Sequence, residues 1–131
     1  MAKSSKAIKP ILSNASDELT GIIILALQEK KGHDITCLDM REISGAVADM
    51  FIICHGNSST QVQALARSVE EMVFKDKKED VLHREGVENA QWILLDYFNV
   101  VVHIFQKEQR EYYGIEGFWA DATLREIKDN Y

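Results

Sequence analysis

The chain has 131 residues, 46% of them hydrophobic and 27% charged, with a formal net charge of −6. That length fits one domain able to bury about two thirds of its unfolded surface without a disulfide or metal staple. The acidic balance argues against binding nucleic acid through the overall field, because phosphate recognition is built on Lys and Arg, and no apolar run reaches the roughly 18 residues of a membrane span.

Residues 1–14 carry Lys3, Lys6 and Lys9 and no acid. They lack the apolar core of a secretory signal and the arginines of an organellar transit peptide. They read as a disordered basic N-terminus of a cytoplasmic protein, ahead of a domain over 15–121 and a short tail over 122–131.

The spacing of Leu19, Ile22, Ile23, Ala26 and Leu27 predicts a helix from Asn14 to Gly32, with Gly32 as its stop. Ile24 and Leu25 fall off that stripe, which suggests burial on more than one side. Asp34–Asp39 reads as a strand and Met40–Val47 as a loop. Asp49–His55 is a continuous apolar run, the pattern of a central strand covered on both faces. Ser58 and Gln61 then form a capping-box pattern for a second helix, whose stripe is Val62, Leu65, Ala66, Val69, Met72 and Val73. Strand, Gly56 turn and helix together invite a phosphate-site reading, but one glycine and no Walker lysine leave a plain capped helix as the simpler one. Val81–Arg84 is a short strand candidate. Cys37 and Cys54 sit inside apolar runs and read as buried thiols. No Cys/His ligand spacing is present, so neither a metal nor a cofactor is expected.

Trp92–Asp96 and Val100–Phe105 read as a hairpin. A two-residue turn, Tyr97-Phe98 or Phe98-Asn99, puts even residues of the first strand on the same face as odd residues of the second. One face is then aliphatic: Ile93, Leu95, Val100, Val102 and Ile104. The other mixes Trp92, Leu94, Asp96, Val101, His103 and Phe105, the kind of mixture a partner surface uses. From Lys107 a helix is expected, weakened by Gly114 and Gly117, with Tyr112, Ile115, Glu116 and Trp119 on one face. Leu124–Tyr131 reads as a last marginal helical turn. Alternating helices and strands indicate an α/β layer architecture.

Several blocks of the chain resemble the ribosomal silencing factor family (RsfS, also called Iojap). They are Asp39 with Arg41; Ala48-Asp49-Met50-Phe51-Ile52-Ile53 followed by Gly56-Asn57-Ser58-Ser59 and Gln61-Val62; and Gly86, Ala90-Gln91-Trp92, Asp96, Val102-His103-Ile104-Phe105, Arg110, Tyr113, Glu116 and Trp119. The resemblance runs from about Ser16 to Trp119. The family's turn after the Asp often contains Gly; here it is Tyr97-Phe98-Asn99, of which Asn99 best tolerates a left-handed backbone.

The resemblance implies a non-enzymatic translational repressor in the cytoplasm. It implies binding to the fourteenth protein of the large ribosomal subunit, block of small-subunit joining, and a homodimer in the free state. The implied fold is a mixed five-stranded sheet with packed helices, related to nucleotidyltransferases. A metal-dependent nucleotidyltransferase-like enzyme is the alternative. Such an enzyme needs paired carboxylates to hold Mg²⁺, and Asp39, Asp49 and Asp96 lie in separate segments. The candidate partner-binding set is Trp92, Asp96, His103, Arg110, Tyr112, Tyr113, Glu116 and Trp119. Each aromatic has a second reading as core, His103 as a packing histidine, and Arg110 as the internal partner of Glu116 or Asp96.

Overall fold

The computed structural model describes residues 2–129 and 131, with side chains from residue 15 onward. Helix α1 spans Ala2–Glu29. The expected disordered N-terminus falls on Met1, which lies outside the described residues, and on residues 2–14, whose side chains do.

Leu19, Ile23, Ala26 and Leu27 bury one face of α1, as their spacing requires. Ile24 is also buried, whereas Leu25 is 60% exposed, so only half of the expected wider burial holds. The stop differs by one residue. Lys31 takes the left-handed conformation (φ 61°), and Gly32 N–H closes back on the Leu27 carbonyl at 2.9 Å. Gly32 is needed for space instead, since a Cβ there would lie 3.1 Å from Leu65 Cδ2.

The strands are β1 (His33–Asp39), β2 (Met50–Gly56), β3 (His83–Glu85), β4 (Trp92–Asp96), β5 (Val100–Gln106) and β6 (Thr123–Glu126). They form one sheet in the order β3-β4-β5-β2-β1-β6. Only β2 and β5 pair in parallel; the other neighbours are antiparallel. The sheet therefore has six strands, not five. The extra one is β6, which replaces the expected helical turn after Leu124. Its four residues are all exposed, so no apolar periodicity marks it; it forms because the open edge of β1 offers unpaired backbone groups, and Thr36–Asp39 pair with Thr123–Glu126.

Helix α2 (Ser59–Lys77) begins where Ser58 Oγ accepts the Gln61 N–H at 3.1 Å. Gln61 Oε1 accepts in return from the Asn57 N–H at 2.8 Å. The Gln61 and Asn57 N–H groups are thus occupied by the helix's own capping side chains. α1 and α2 cover one face of the sheet, burying Ile52, Cys54, Ile93, Leu95, Val102 and Ile104. The opposite face holds a smaller core of Leu38, Phe51, Ile53, Val101, Phe105 and Ile115.

The hairpin has the expected division of faces. Trp92 pairs with Phe105, Leu94 with His103 and Asp96 with Val101. The Tyr97 N–H donates to the Val100 carbonyl at 2.9 Å, leaving Phe98-Asn99 as the turn. Phe98, not Asn99, carries the left-handed backbone (φ 77°). The Asp96 carboxylate accepts the Phe98 N–H at 2.7 Å and fixes the reversal one residue earlier than the side-chain preference of Asn99 suggests. A bulky non-glycine residue held there costs on the order of 1–3 kcal/mol.

After β5, Gly114 (φ 51°) ends helix α3 (Lys107–Tyr113) and starts the short α4 (Ile115–Phe118). Tyr112, Ile115, Glu116 and Trp119 therefore do not share one continuous helical face: Ile115 is buried while Tyr112 is 80% exposed.

Candidate functional site

The mixed face of the hairpin is half interior and half surface. His103 and Phe105 are buried in it, while Trp92 is half-buried at the start of β4. The Trp92 ring lies 4.8 Å from both Phe105 and Tyr113 and 5.9 Å from His103, centroid to centroid. Phe51 on β2 meets His103 at 4.7 Å and the Trp119 ring edge-on at 5.8 Å. Tyr112 packs edge-to-face on Tyr113 at 5.0 Å. An aromatic ladder thus climbs from the sheet through Trp92 and Tyr113 to Tyr112 on the surface. Phe118 (77% exposed) adds a further ring on α4. Such rings give contact area at low entropic cost, as interface anchors do.

His103 is set by the indole above it. Trp92 Nε1 donates to His103 Nδ1 at 3.1 Å. An indole N–H can only donate, so Nδ1 accepts and the neutral ring carries its hydrogen on Nε2. Nε2 is buried with no partner among the described residues. Burial pushes the His103 pKa down to about 4. The unfolded chain therefore takes up this proton first as pH falls. The contribution is full above the ordinary value of 6.5 and is lost as pH drops through the window from 6.5 to about 4. Between pH 8 and pH 5 the expected loss is about 2 kcal/mol. In His103→Gln, whose amide oxygen can accept from the indole, urea midpoints measured at those two pH values should differ by correspondingly less. An equal pH dependence in the variant would remove His103 as its source.

Arg110 is not a surface group. It is buried, and all of its N–H donors are used internally. Nε and Nη2 donate to Glu116 Oε2 at 3.1 and 2.8 Å. Nη1 donates to the His33 carbonyl at 3.3 Å and to His55 Nδ1 at 3.0 Å, and Nη2 also donates to Thr36 Oγ1 at 3.1 Å. Burial, then the Arg110 charge, lower the His55 pKa. Of the two sequence readings of Arg110, the structure displays the internal pair with Glu116. This knot ties α3 and α4 to β1 and β2 and so fixes where the aromatics stand. A cleft of about 800 Å³ runs beside it, lined with acids such as Asp34, Glu111 and Glu126 as well as Lys107 and Lys128.

Asp96 lies at the other end of β4 from Trp92, where it caps the turn. The eight candidate residues thus separate into an aromatic group (Trp92, Tyr112, Tyr113, Trp119, with His103 beneath), a positioning pair (Arg110, Glu116) and a distant turn cap (Asp96). Sequence reasoning missed Phe51, Thr36 and His55 as supports. His55 ends an apolar strand, and only its opposition to Arg110 from a remote helix reveals its part.

The carboxylates that an enzyme would need are apart and engaged. Arg41 binds both Asp39 oxygens, at 3.0 and 2.6 Å, and its hydrogen bond holds the Asp39 pKa below the usual value. Asp49 Oδ2 accepts from Ser16 Oγ at 2.7 Å. Among the described residues no group of three or more His, Cys, Asp or Glu is placed to hold a metal ion, and no helix is long and apolar enough to cross a membrane.

A family model described as "Ribosomal silencing factor during starvation" matches residues 13–130. The chain belongs to this family. Ribosomal silencing factor RsfS of Bacillus subtilis is 44% identical over 106 residues, covering 81% of this chain and 88% of that protein. The RsfS of Halalkalibacterium halodurans is 40% identical over 114 residues, covering 87% and 96% respectively. A crystal structure of a Chromobacterium violaceum protein superposes with a TM-score of 0.75 at 36% identity, over 79% of this chain and 85% of that one. In this ribosomal silencing factor, Asp39 and Asp49 are engaged within the fold, while Tyr112 and Phe118 stand at its surface.

Proposed function

We propose that this ribosomal silencing factor acts in the cytoplasm as a non-catalytic translational repressor. It docks on the fourteenth protein of the large ribosomal subunit, and its body then fills volume that the small subunit needs. The observation that carries the reading is the ladder Trp92–Tyr113–Tyr112 with Trp119 and Phe118 alongside: large rings grouped at one place and reaching from the sheet to the surface. Steric exclusion needs no covalent step, and an interface of about 1,600 Å² in total is sufficient for a specific complex. The same face is available to a second copy when no ribosome is present, so self-association and docking compete.

Tyr112 and Phe118 are so exposed that truncating them leaves the fold almost unchanged. The double variant Tyr112→Ala, Phe118→Ala should weaken pelleting with purified large subunits at least about tenfold, with the melting temperature kept. Light scattering of mixed subunits should show joining inhibited by the wild type and restored with the variant. Unchanged joining in excess wild-type protein sinks the repressor reading.

A further inference from the structure

We infer that the β4–β5 turn is a second contact point, at which Phe98 enters an apolar pocket on a basic protein of the large subunit. The inference rests on the ribosomal reading above and adds a surface to it. Phe98 combines two unfavourable features, a left-handed backbone at φ 77° and a phenyl ring that is 74% exposed. No ring partner for it is found among the described residues, so no aromatic contact within the fold offsets the exposure of the ring. The backbone around it is nevertheless held from several sides. Asp96 Oδ1 accepts the Phe98 N–H, the Tyr97 carbonyl accepts the Asn99 N–H at 3.0 Å, and Asn99 Nδ2 donates to Ser16 Oγ at 2.9 Å. The Asn99 carbonyl accepts from the N–H groups of Asp49 and Met50. A strained residue fixed so firmly and pointed outward is the pattern of a contact held ready for a partner.

Two more apolar side chains are exposed at this end of the sheet. Leu82 (69% exposed) is joined to the Asp96 carbonyl through its N–H, and Val47 (75% exposed) lies just before Asp49. The neighbouring charge selects the occupant. Glu79 and Asp80 are exposed and stand just before Leu82 in the chain, so the bond from the Leu82 N–H to the Asp96 carbonyl brings them to this end of the sheet. Arg84 is paired with Glu70, and Lys78 stands over the Phe74 ring. Exposed acids such as Glu79 and Asp80 beside an apolar tip repel phosphate and suit a basic protein surface. Trp92 and Phe98 lie at opposite ends of β4, at most about 20 Å apart, a span that a single partner protein can cover.

Large-subunit pelleting with wild type, Phe98→Gly, Phe98→Asn, Phe98→Tyr and Leu82→Ser, each alongside a melting curve, tests this. Gly and Asn accept the left-handed backbone, so both should melt higher, by roughly 3–6 °C. Both should nonetheless bind about tenfold more weakly, as should Leu82→Ser, while Phe98→Tyr keeps its affinity. A more stable protein that binds less is a result no purely structural role for Phe98 produces. Affinity within twofold of wild type in the Gly, Asn and Ser variants overturns the second contact while leaving the aromatic face standing. Failure of the wild type itself to pellet overturns the ribosomal reading and this inference with it. If sedimentation velocity shows that the variants lose only self-association, the turn contacts a second copy and the inference is wrong. Weakened pelleting accompanied by an equal loss of binding to protein-free ribosomal RNA also overturns it.

Discussion

Gly86→Ala should cost about 3–4 kcal/mol and lower the melting temperature by roughly 10 °C or more. Gly86 sits in the left-handed region (φ 77°), and a Cβ built there lies 2.0 Å from the Trp92 carbonyl oxygen and 3.1 Å from its carbonyl carbon. The obstacle is backbone, which cannot swing aside as a long side chain would. Gly86 also accepts the N–H of the fully buried Ala90 at 2.9 Å, so the whole segment leading into β4 is pinned to it. Relief of the clash must push Trp92 outward or detach β3 from β4. Trp92 is stacked on Phe105 and bonded to His103, so its fluorescence should shift to the red along with the loss of stability. A melting temperature within about 2 °C of wild type would show that the approach is looser than the geometry states.

Arg110→Met should lower stability by about 3 kcal/mol, read as a fall in the urea midpoint at unchanged slope. The guanidinium is buried, and Glu116 beside it is partly open to solvent. Most of the loss therefore comes from groups left without a donor: the His33 carbonyl, Thr36 Oγ1 and His55 Nδ1. Lysine should recover little, since a tetrahedral ammonium cannot reproduce a planar fork across four acceptors. The His55 ring should also titrate higher in the methionine variant, because the second of the causes lowering its pKa is gone. An unchanged urea midpoint would mean that α3 is held to the sheet by packing alone.

Much of this arrangement is legible in the sequence where apolar period and turn length decide it. The faces of β4 and β5 follow from a two-residue turn and the strand period, and the observed register is the expected one. The capped start of α2 follows from Ser58 and Gln61. What was not legible depends on long-range backbone pairing or on side chains far apart in the chain. β6 has no apolar face of its own and exists because β1 offers an edge. The bonding of Arg110 to His33, Thr36 and His55 links three segments that no spacing rule connects. The left-handed residue of the hairpin turn was misassigned because the Asp96 carboxylate, not side-chain preference, selects it. Among the site residues, the sequence grouped Asp96 with Trp92 by face, but strand length sets them at opposite ends.

The sheet order has a bearing on when the protein becomes competent. β1 is made early, yet one of its edges waits for β6, which follows every other described element in the chain. The aromatics of α3 and α4 likewise follow β5 in the chain, and β5 itself pairs with β2. Pairings between such distant segments form slowly, because a long loop must close before they return any stabilisation. A chain that has folded only as far as β4 therefore has an open β1 edge and lacks the aromatic surface of α3 and α4.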